Sequence, residues 1–401
     1  MNKLKIINDP IYGFVNIPDE LLFDIIQHPY FQRLRRISQM GLSYLVYPGA
    51  HHTRFHHAIG AMHLMQTALH VLKFKEVNIT AKEEQAALIA ILLHDIGHRP
   101  FSHALEYGII DVSHEEISLQ IMHKLNQEFN GQLDLAIRIF QGKHPKKFLT
   151  ELISSQIDVD RLDYLRRDSF YSGVIEGQIN SERLIKMLNV VDNQLVIEAK
   201  GIYSVEKFII SRRLMYWQVY FHKTSLMLEK ILEKVLLRVK DLLQQNKPVF
   251  LDENLNYLFQ NKLQNFDTDS LDIFARLDDT DIIYHIKKWT NNPDFILSYL
   301  SNMLINRTHL NKMLIQKENF AIDYIKQLKY KTMLRFPINQ NELKYLLFDG
   351  KLVHQAYNNQ KHPVKLLQKN GNVVEFSQAS DQLNIAALSQ PVIKHFLCYP
   401  V

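Results

Sequence analysis

Eight consecutive apolar residues, Ala86-Ala87-Leu88-Ile89-Ala90-Ile91-Leu92-Leu93, run directly into His94-Asp95. An apolar run with no polar face reads as a helix buried on all sides. Such a helix ends here in an imidazole and a carboxylate, and the turn that follows is Ile96-Gly97-His98-Arg99-Pro100-Phe101-Ser102-His103. An unpaired buried carboxylate costs about several kcal/mol, so His94-Asp95 requires a partner. A divalent metal is the partner that uses both side chains together.

A metal needs further ligands. Upstream lies Arg54-Phe55-His56-His57-Ala58-Ile59-Gly60, where either histidine could serve. Downstream lies Ile157-Asp158-Val159-Asp160-Arg161-Leu162-Asp163-Tyr164, followed by Leu165-Arg166-Arg167-Asp168. Two imidazoles and two carboxylates form a borderline-hard donor set that suits Mn, Fe, Zn, Ni or Mg without choosing among them. On a helix Asp160, Tyr164 and Asp168 form one stripe, which puts a phenol and a second carboxylate just beyond Asp160. Asp163 and Arg167, four apart on another face, read as a surface ion pair. Asp158 fits a helix cap as well as a group behind the ligands. His103 and Glu106 would be neighbours on a helix, and Arg212, Tyr216 and Tyr220 share another stripe.

The segments Asn8-Asp9-Pro10-Ile11-Tyr12-Gly13, Phe31-Gln32-Arg33-Leu34-Arg35, Tyr47-Pro48-Gly49-Ala50, Arg54-Phe55-His56-His57, His94 to His103, Asp158 to Tyr164 and Arg167-Asp168 occur in that order. Together they resemble the HD phosphohydrolase superfamily, in particular its dNTP triphosphohydrolase branch. The resemblance is dense over about the first 225 residues. It implies one divalent metal per subunit on His57, His94, Asp95 and Asp160, with His57 preferred over His56 by the Arg-Phe-x-His spacing. It implies that His98 and His114 face the phosphates and that His103 with Glu106 serves the leaving group. Tyr164 and Asp168 would hold the sugar, the Asp accepting from its 3′-hydroxyl. Gln39 would reject a 2′-hydroxyl. Arg54, Arg212, Tyr216, Tyr220 and Lys223 would contact the triphosphate and the base. Lys5, Asn8, Arg35 and Arg307 match parts of the branch's activating nucleotide sites between subunits. Where its vertebrate member reads guanine with an acid, this chain has Gln27. An amide is half donor and cannot accept from both N1–H and N2–H of guanine, so a guanine-specific activator is not expected. A homo-oligomer, dimer or tetramer, is implied, as is the absence of the vertebrate member's extra N-terminal domain.

The expected fold class is mainly α: an HD-domain helical core with short N-terminal and peripheral strands and a smaller α+β C-terminal region. Residues 1–17 read as two strands around the turn Asp9-Pro10-Ile11-Tyr12-Gly13, and Asp19 as the cap of the first helix. A hairpin is expected at 188–200 with Asp192-Asn193 as its turn, and continuous helix from Ser204 to Lys223. Expected regions are 1–245 for the core with metal site and nucleotide pocket, 246–320 for a helical extension opening an acidic-capped helix near Asp278, and 321–401 for the rest. In the last region Lys369-Asn370-Gly371-Asn372 reads as a hairpin turn, and Ser377 as the start of a final helical region.

At 401 residues with 46% hydrophobic content, the chain has material for a large core. It shows no apolar stretch of membrane-spanning length and no signal-peptide plan, and its single Cys398 excludes an internal disulfide framework. A cytoplasmic location is expected. The net charge of +5 suits an anionic small molecule or weak nucleic-acid contact. Two other functions fit the same residues. One is an HD phosphohydrolase of nucleoside monophosphates, cyclic nucleotides or another phosphoester. The other is a nucleotide-sensing or single-stranded nucleic-acid-binding protein with little catalysis.

Overall fold

A computed structural model describes residues 5–101, 112–261, 268–361, 363–380 and 388–401. The chain opens with an antiparallel hairpin, β1 (Lys5–Asp9) and β2 (Gly13–Ile17). Its turn is built by Asp9, whose Oδ1 accepts from the backbone N–H groups of Ile11 at 2.8 Å and Tyr12 at 3.0 Å. Gly13 closes the turn at φ +72°, a conformation that needs no Cβ. Helix α1 (Glu20–Gln27) starts as expected at Asp19, which accepts from Leu22 N–H at 2.9 Å.

Three helices frame the main core: α2 (Arg54–Phe74), α3 (Ala81–Leu93) and, further on, α5 (Val159–Ser172), with α4 (His114–Glu128) between them in sequence. A reciprocal pair starts α3, because Thr80 N–H donates to Glu83 at 2.8 Å while Glu83 N–H donates to the Thr80 hydroxyl at 3.2 Å. All eight residues of the apolar run are buried, and the helix stops at His94. Helix α2 packs on both α3 and α5. Gly60 allows the close approach to α5: a Cβ there would overlap Arg167 Nη2 and Asp163 Oδ1.

The Asp163–Arg167 pair corrects the expectation of a surface contact. Both side chains are fully buried and joined by two bonds of 2.9 Å, and Arg167 Nη1 also donates to Asp9 Oδ2 at 2.8 Å. The pair faces α2, so the four-residue spacing that suggested a solvated face lies against the core.

Strands β3 (Leu188–Val191) and β4 (Gln194–Glu198) form the expected hairpin, with Asp192 and Asn193 at φ +50° and +61°. β4 continues in parallel to β7 (Lys365–Leu367), which pairs with β8 (Val373–Glu375) around Gly371. The second hairpin, distant in sequence, thus rests on the first core through Val364, Leu366 and Phe376. Helix α6 (Ile202–Met215) passes into a π turn over Tyr216–Tyr220, and α7 (Lys223–Gln244) begins afresh after His222. The expected continuous helix is therefore broken: the Phe221 N–H bonds to Tyr216 O five residues back, and Lys223 opens a separate helix instead of ending the one that carries Arg212.

A second core joins α7, α8 (Asp279–Trp289) and α9 (Phe295–Asn306) to a three-stranded sheet ordered β5 (Lys312–Gln316), β9 (Val392–Tyr399), β6 (Phe348–His354). Asp278 caps α8, as its acidic start suggested. Ser377 lies in a one-turn helix, Phe376–Ala379, residues 381–387 lie outside the described residues, and the central strand of this sheet follows. Val392–Tyr399 lacks clean alternation, which hides it from a period-two reading.

Gly60→Ala tests the α2–α5 crossing. Overpacking against a buried ion pair should cost about 3 kcal/mol or more and lower the melting temperature by several degrees. An unchanged transition in calorimetry would mean the helices have room that this geometry denies.

Candidate functional site

Three helix ends place the donors. His57 lies in the first turn of α2, His94 at the end of α3 and Asp160 in the first turn of α5. His57 Nε2 is 3.1 Å from Asp160 Oδ1 and 3.4 Å from His94 Nε2, and His94 Nε2 is 3.5 Å from Asp160 Oδ1. Asp95 adds Oδ1 at 3.4 Å from His94 Nε2 and Oδ2 at 3.8 Å from His57 Nε2. An ion about 2.1 Å from each donor separates neighbouring donors by about 3.0–3.4 Å. The spacing of His57, His94 and Asp160 and their donor chemistry fit a divalent cation, and Asp95 lies at the edge of that set.

Groups behind the donors fix their orientation. His57 Nδ1–H donates to Asp163 Oδ2 at 2.8 Å, and His94 Nδ1–H to the Ile91 carbonyl at 2.6 Å. Both imidazoles thereby present Nε2 lone pairs inward. Burial alone would depress the His57 imidazole, but the carboxylates of Asp160 and Asp163 raise it to about 10. Against its own burial, Asp160 is held far below the ordinary carboxylate range by His57 and His94. His94 is likewise raised by Asp95 and Asp160 despite burial. His56 points elsewhere: its Nδ1 accepts from Thr53 N–H at 3.1 Å and caps α2.

A second cluster adjoins the first. Asp95, His98 and His114 converge, with His98 Nε2 3.2 Å from Asp95 Oδ1 and the His98 and His114 rings stacked at 4.1 Å. Burial and the Arg54 guanidinium hold His98 well below the ordinary histidine range. Arg54 Nη1 donates to Asp95 Oδ2. Gly97 lets this turn press on α4, since a Cβ would strike the His114 carbonyl and Ser118 N. His103 and Glu106 lie outside the described residues.

Beyond Asp160 on α5 come Tyr164 and Asp168. The Tyr164 and Tyr220 rings are 6.3 Å apart, and Tyr220 O–H donates to Asp168 Oδ2 at 2.6 Å. Gln39 sits nearby in sequence to none of these, yet its Oε1 is buried without a hydrogen-bond partner among the described residues. Arg212 Nη1 approaches Gln156 Oε1 at 3.5 Å. Tyr216 stacks on His354 at 3.9 Å. Lys223 is exposed at the start of α7.

The residues matched to activating sites are spread over several elements. Lys5 on β1 lies over the Phe23 ring at 3.1 Å, Asn8 is an exposed β1 residue, and Arg35 covers the Phe55 ring at 3.5 Å. Arg307, at φ +52° after α9, donates to the Leu45 carbonyl. Gln27 is exposed at the end of α1.

Sequence reasoning missed His52, Asp163, Arg167, Arg161 and His354. Asp158 caps α5 and accepts from Arg161 N–H at 2.7 Å. Arg161, directly after Asp160, pairs with Asp158 and keeps a buried Nε with no hydrogen-bond partner among the described residues. His52 Nε2–H donates to Asp168 Oδ1 at 2.7 Å. The Asp163–Arg167 spacing was visible, but only the crossing at Gly60 shows which way it faces.

The fold and this donor set define a helical protein with a His/Asp site built to take a divalent cation. Residues 54–168 match the HD domain and 179–294 the HD associated region. The uncharacterized protein YwfO of Bacillus subtilis is 32% identical over 398 residues, covering 95% of this chain and 88% of that one. A deoxynucleoside triphosphate triphosphohydrolase SAMHD1 homolog of Dictyostelium discoideum is 34% identical over 245 residues, and the match spans about half of its length (47%). The crystal structure of a phosphohydrolase from Bacteroides thetaiotaomicron superposes with a TM-score of 0.95 at 48% identity over 100% of both chains. The chain belongs to the HD-domain phosphohydrolase family.

His57 supplies a pH test. Its pKa rises from 6.5 to about 10 on folding, so its contribution to stability is complete below about 6.5 and is lost as pH climbs through about 10. Protein freed of metal by chelation should lose melting temperature over that range, and Asp163→Asn should lower the His57 pKa and flatten the loss. Histidine NMR titration reads the group directly; a parent His57 titrating near its ordinary value would contradict the assigned network.

Proposed function

We propose that the protein is a metal-dependent dNTP triphosphohydrolase, converting dNTP and water to deoxynucleoside and triphosphate. The observation that carries the reading is the convergence of His57, His94 and Asp160 at ion-bridging distances, with Asp95 beside His94 and with Tyr164 and Asp168 following Asp160 along one helix. The name of the Dictyostelium relative supports the substrate class. A divalent ion held by His57, His94, Asp95 and Asp160 would supply Lewis-acid chemistry at a phosphoryl oxygen and lower the pKa of water there.

The protein's own groups do the rest. His98 and His114 line the turn beside Asp95 and offer ring N–H donors to phosphate oxygens. Arg54, fixed on Asp95, places positive charge at the same spot. Arg161 and Arg212 carry buried Nε atoms without partners among the described residues, as donors awaiting an anionic tail would. Lys223 extends that charge outward. Bond cleavage between α-phosphorus and the 5′-oxygen needs a proton on the leaving oxygen, a role we assign to His103 with Glu106. Tyr164 and Asp168 take the sugar. The unpartnered Gln39 amide oxygen can reject a ribonucleotide by sterics and by an unmatched polar contact. Tyr216 and Tyr220 offer aromatic faces toward the base.

The test incubates the protein with each dNTP and NTP, singly and mixed, with Mn, Mg or Fe, and measures inorganic triphosphate. Release from dNTPs should fall by at least about 100-fold in Asp95→Ala and after chelation, because Lewis-acid stabilisation is worth several kcal/mol. Phosphate release from monophosphates or cyclic nucleotides, with none of triphosphate, would replace the substrate and keep the site. In that case Arg212→Ala would leave the rate unchanged.

A further inference from the structure

We infer that His52 is the positioning residue of the sugar subsite, holding both groups that would discriminate a deoxyribose; the inference rests on the proposed function. His52 is buried at 1% exposure, and Asp168 at 2%. Through its side chain His52 holds Asp168: the ring N–H at Nε2 donates to Oδ1 at 2.7 Å, while Tyr220 O–H holds Oδ2 at 2.6 Å. A carboxylate is acceptor-only, so this bond fixes the tautomer with the proton on Nε2. Two donors, one on each oxygen, set the carboxylate plane, and each oxygen keeps a lone pair for a sugar hydroxyl.

Through its backbone His52 holds Gln39, whose N–H donates to the His52 carbonyl at 3.0 Å. The segments around these two residues are further tied by the Ser38–Thr53 bridge and by Arg54 N–H on the Ile37 carbonyl at 2.9 Å. One residue therefore joins the carboxylate that would accept a 3′-hydroxyl to the amide that would exclude a 2′-hydroxyl. The His52 ring is itself fixed by stacking on Tyr171 at 4.4 Å and 15°. No part of His52 belongs to the metal donors, so its role is to position Asp168 and Gln39, and through them the sugar.

The experiment compares kcat and KM for a dNTP, the matching 2′,3′-dideoxynucleotide and the ribonucleotide. His52→Phe keeps the stacked ring and removes the N–H; His52→Gln returns a donor at similar reach. In the parent, losing the 3′-hydroxyl should cost about 10–100-fold in kcat/KM, the range for a hydrogen bond to a charged group. In His52→Phe that penalty should shrink below about threefold and KM for the dNTP should rise more than kcat falls, while ribonucleotide rejection should persist because the backbone bond to Gln39 is kept. His52→Gln should restore most of the penalty. If the Phe variant does not fold, His52→Asn, too short to reach Asp168, gives the same reading. An undiminished 3′-hydroxyl penalty, or an equal loss on all three substrates, overturns the inference and leaves the proposed function standing. A parent that releases no triphosphate overturns both, and is recognised before any variant is made.

Discussion

The buried guanidinium of Arg167 is the interaction on which the site depends. It lies between Asp163 and Asp9, buried from bulk solvent. Stripping three ionised groups of solvent is costly, and only a fully bonded arrangement offsets it. Here Arg167 uses a fork on Asp163 and one further bond to Asp9. The remaining capacity of Asp163 goes to His57 Nδ1. The N-terminal hairpin, the α2–α5 crossing and the orientation of a metal-donor imidazole are thereby one network. Removing any member leaves a buried charge unpaired, which costs about 3–5 kcal/mol.

That network explains why the donors come from helix ends. The imidazole of His57 emerges from the first turn of α2, Asp160 from the first turn of α5, and His94 from the close of α3. Rigid elements hold donors more closely than loops do. The apolar run of α3 is the price of this arrangement: it anchors the His94-Asp95 turn in the centre of the molecule, where the low dielectric strengthens every contact to it. Ser118 completes the anchoring, accepting from Gly97 N–H and donating to the His94 carbonyl, both at 2.9 Å.

Much of this was legible in the chain. Turn chemistry identified the β3–β4 and β7–β8 hairpins, because Asp192-Asn193 and Asn370-Gly371 supply conformations that few residues adopt. Caps identified α1 and α8, because Asp19 and Asp278 precede apolar periodicity. The candidate donors drew notice through the conflict between burial and charge at His94-Asp95. What stayed hidden depends on the third dimension. A four-residue ion pair has the same sequence pattern on a wet face and a buried one, so Asp163–Arg167 was misjudged. His52 follows His51 in a loop with no periodicity, and only the fold sets it against Asp168. Strand β9 is recruited by β5 and β6 rather than by its own pattern.

The break at Tyr216–Tyr220 shows how the second core reaches the first. A π turn gives up regular α-helical bonding and is found mostly where function demands it. Here it is compensated by aromatic contacts on both sides. Tyr216 stacks on His354 from the end of β6, and its edge meets Tyr220 at 5.0 Å. Tyr220 in turn meets Tyr164 and bonds Asp168. Burial between Arg212 and Arg213 presses the His354 imidazole down to about 4, so it stays neutral and can lie flat on the phenol without adding charge to the pocket. The C-terminal sheet is thus in contact with Tyr164 and Asp168 through a row of rings, not through the chain. A shift of β6 by the width of one side chain would be felt at Asp168, because each ring in the row is packed on the next and none can move alone.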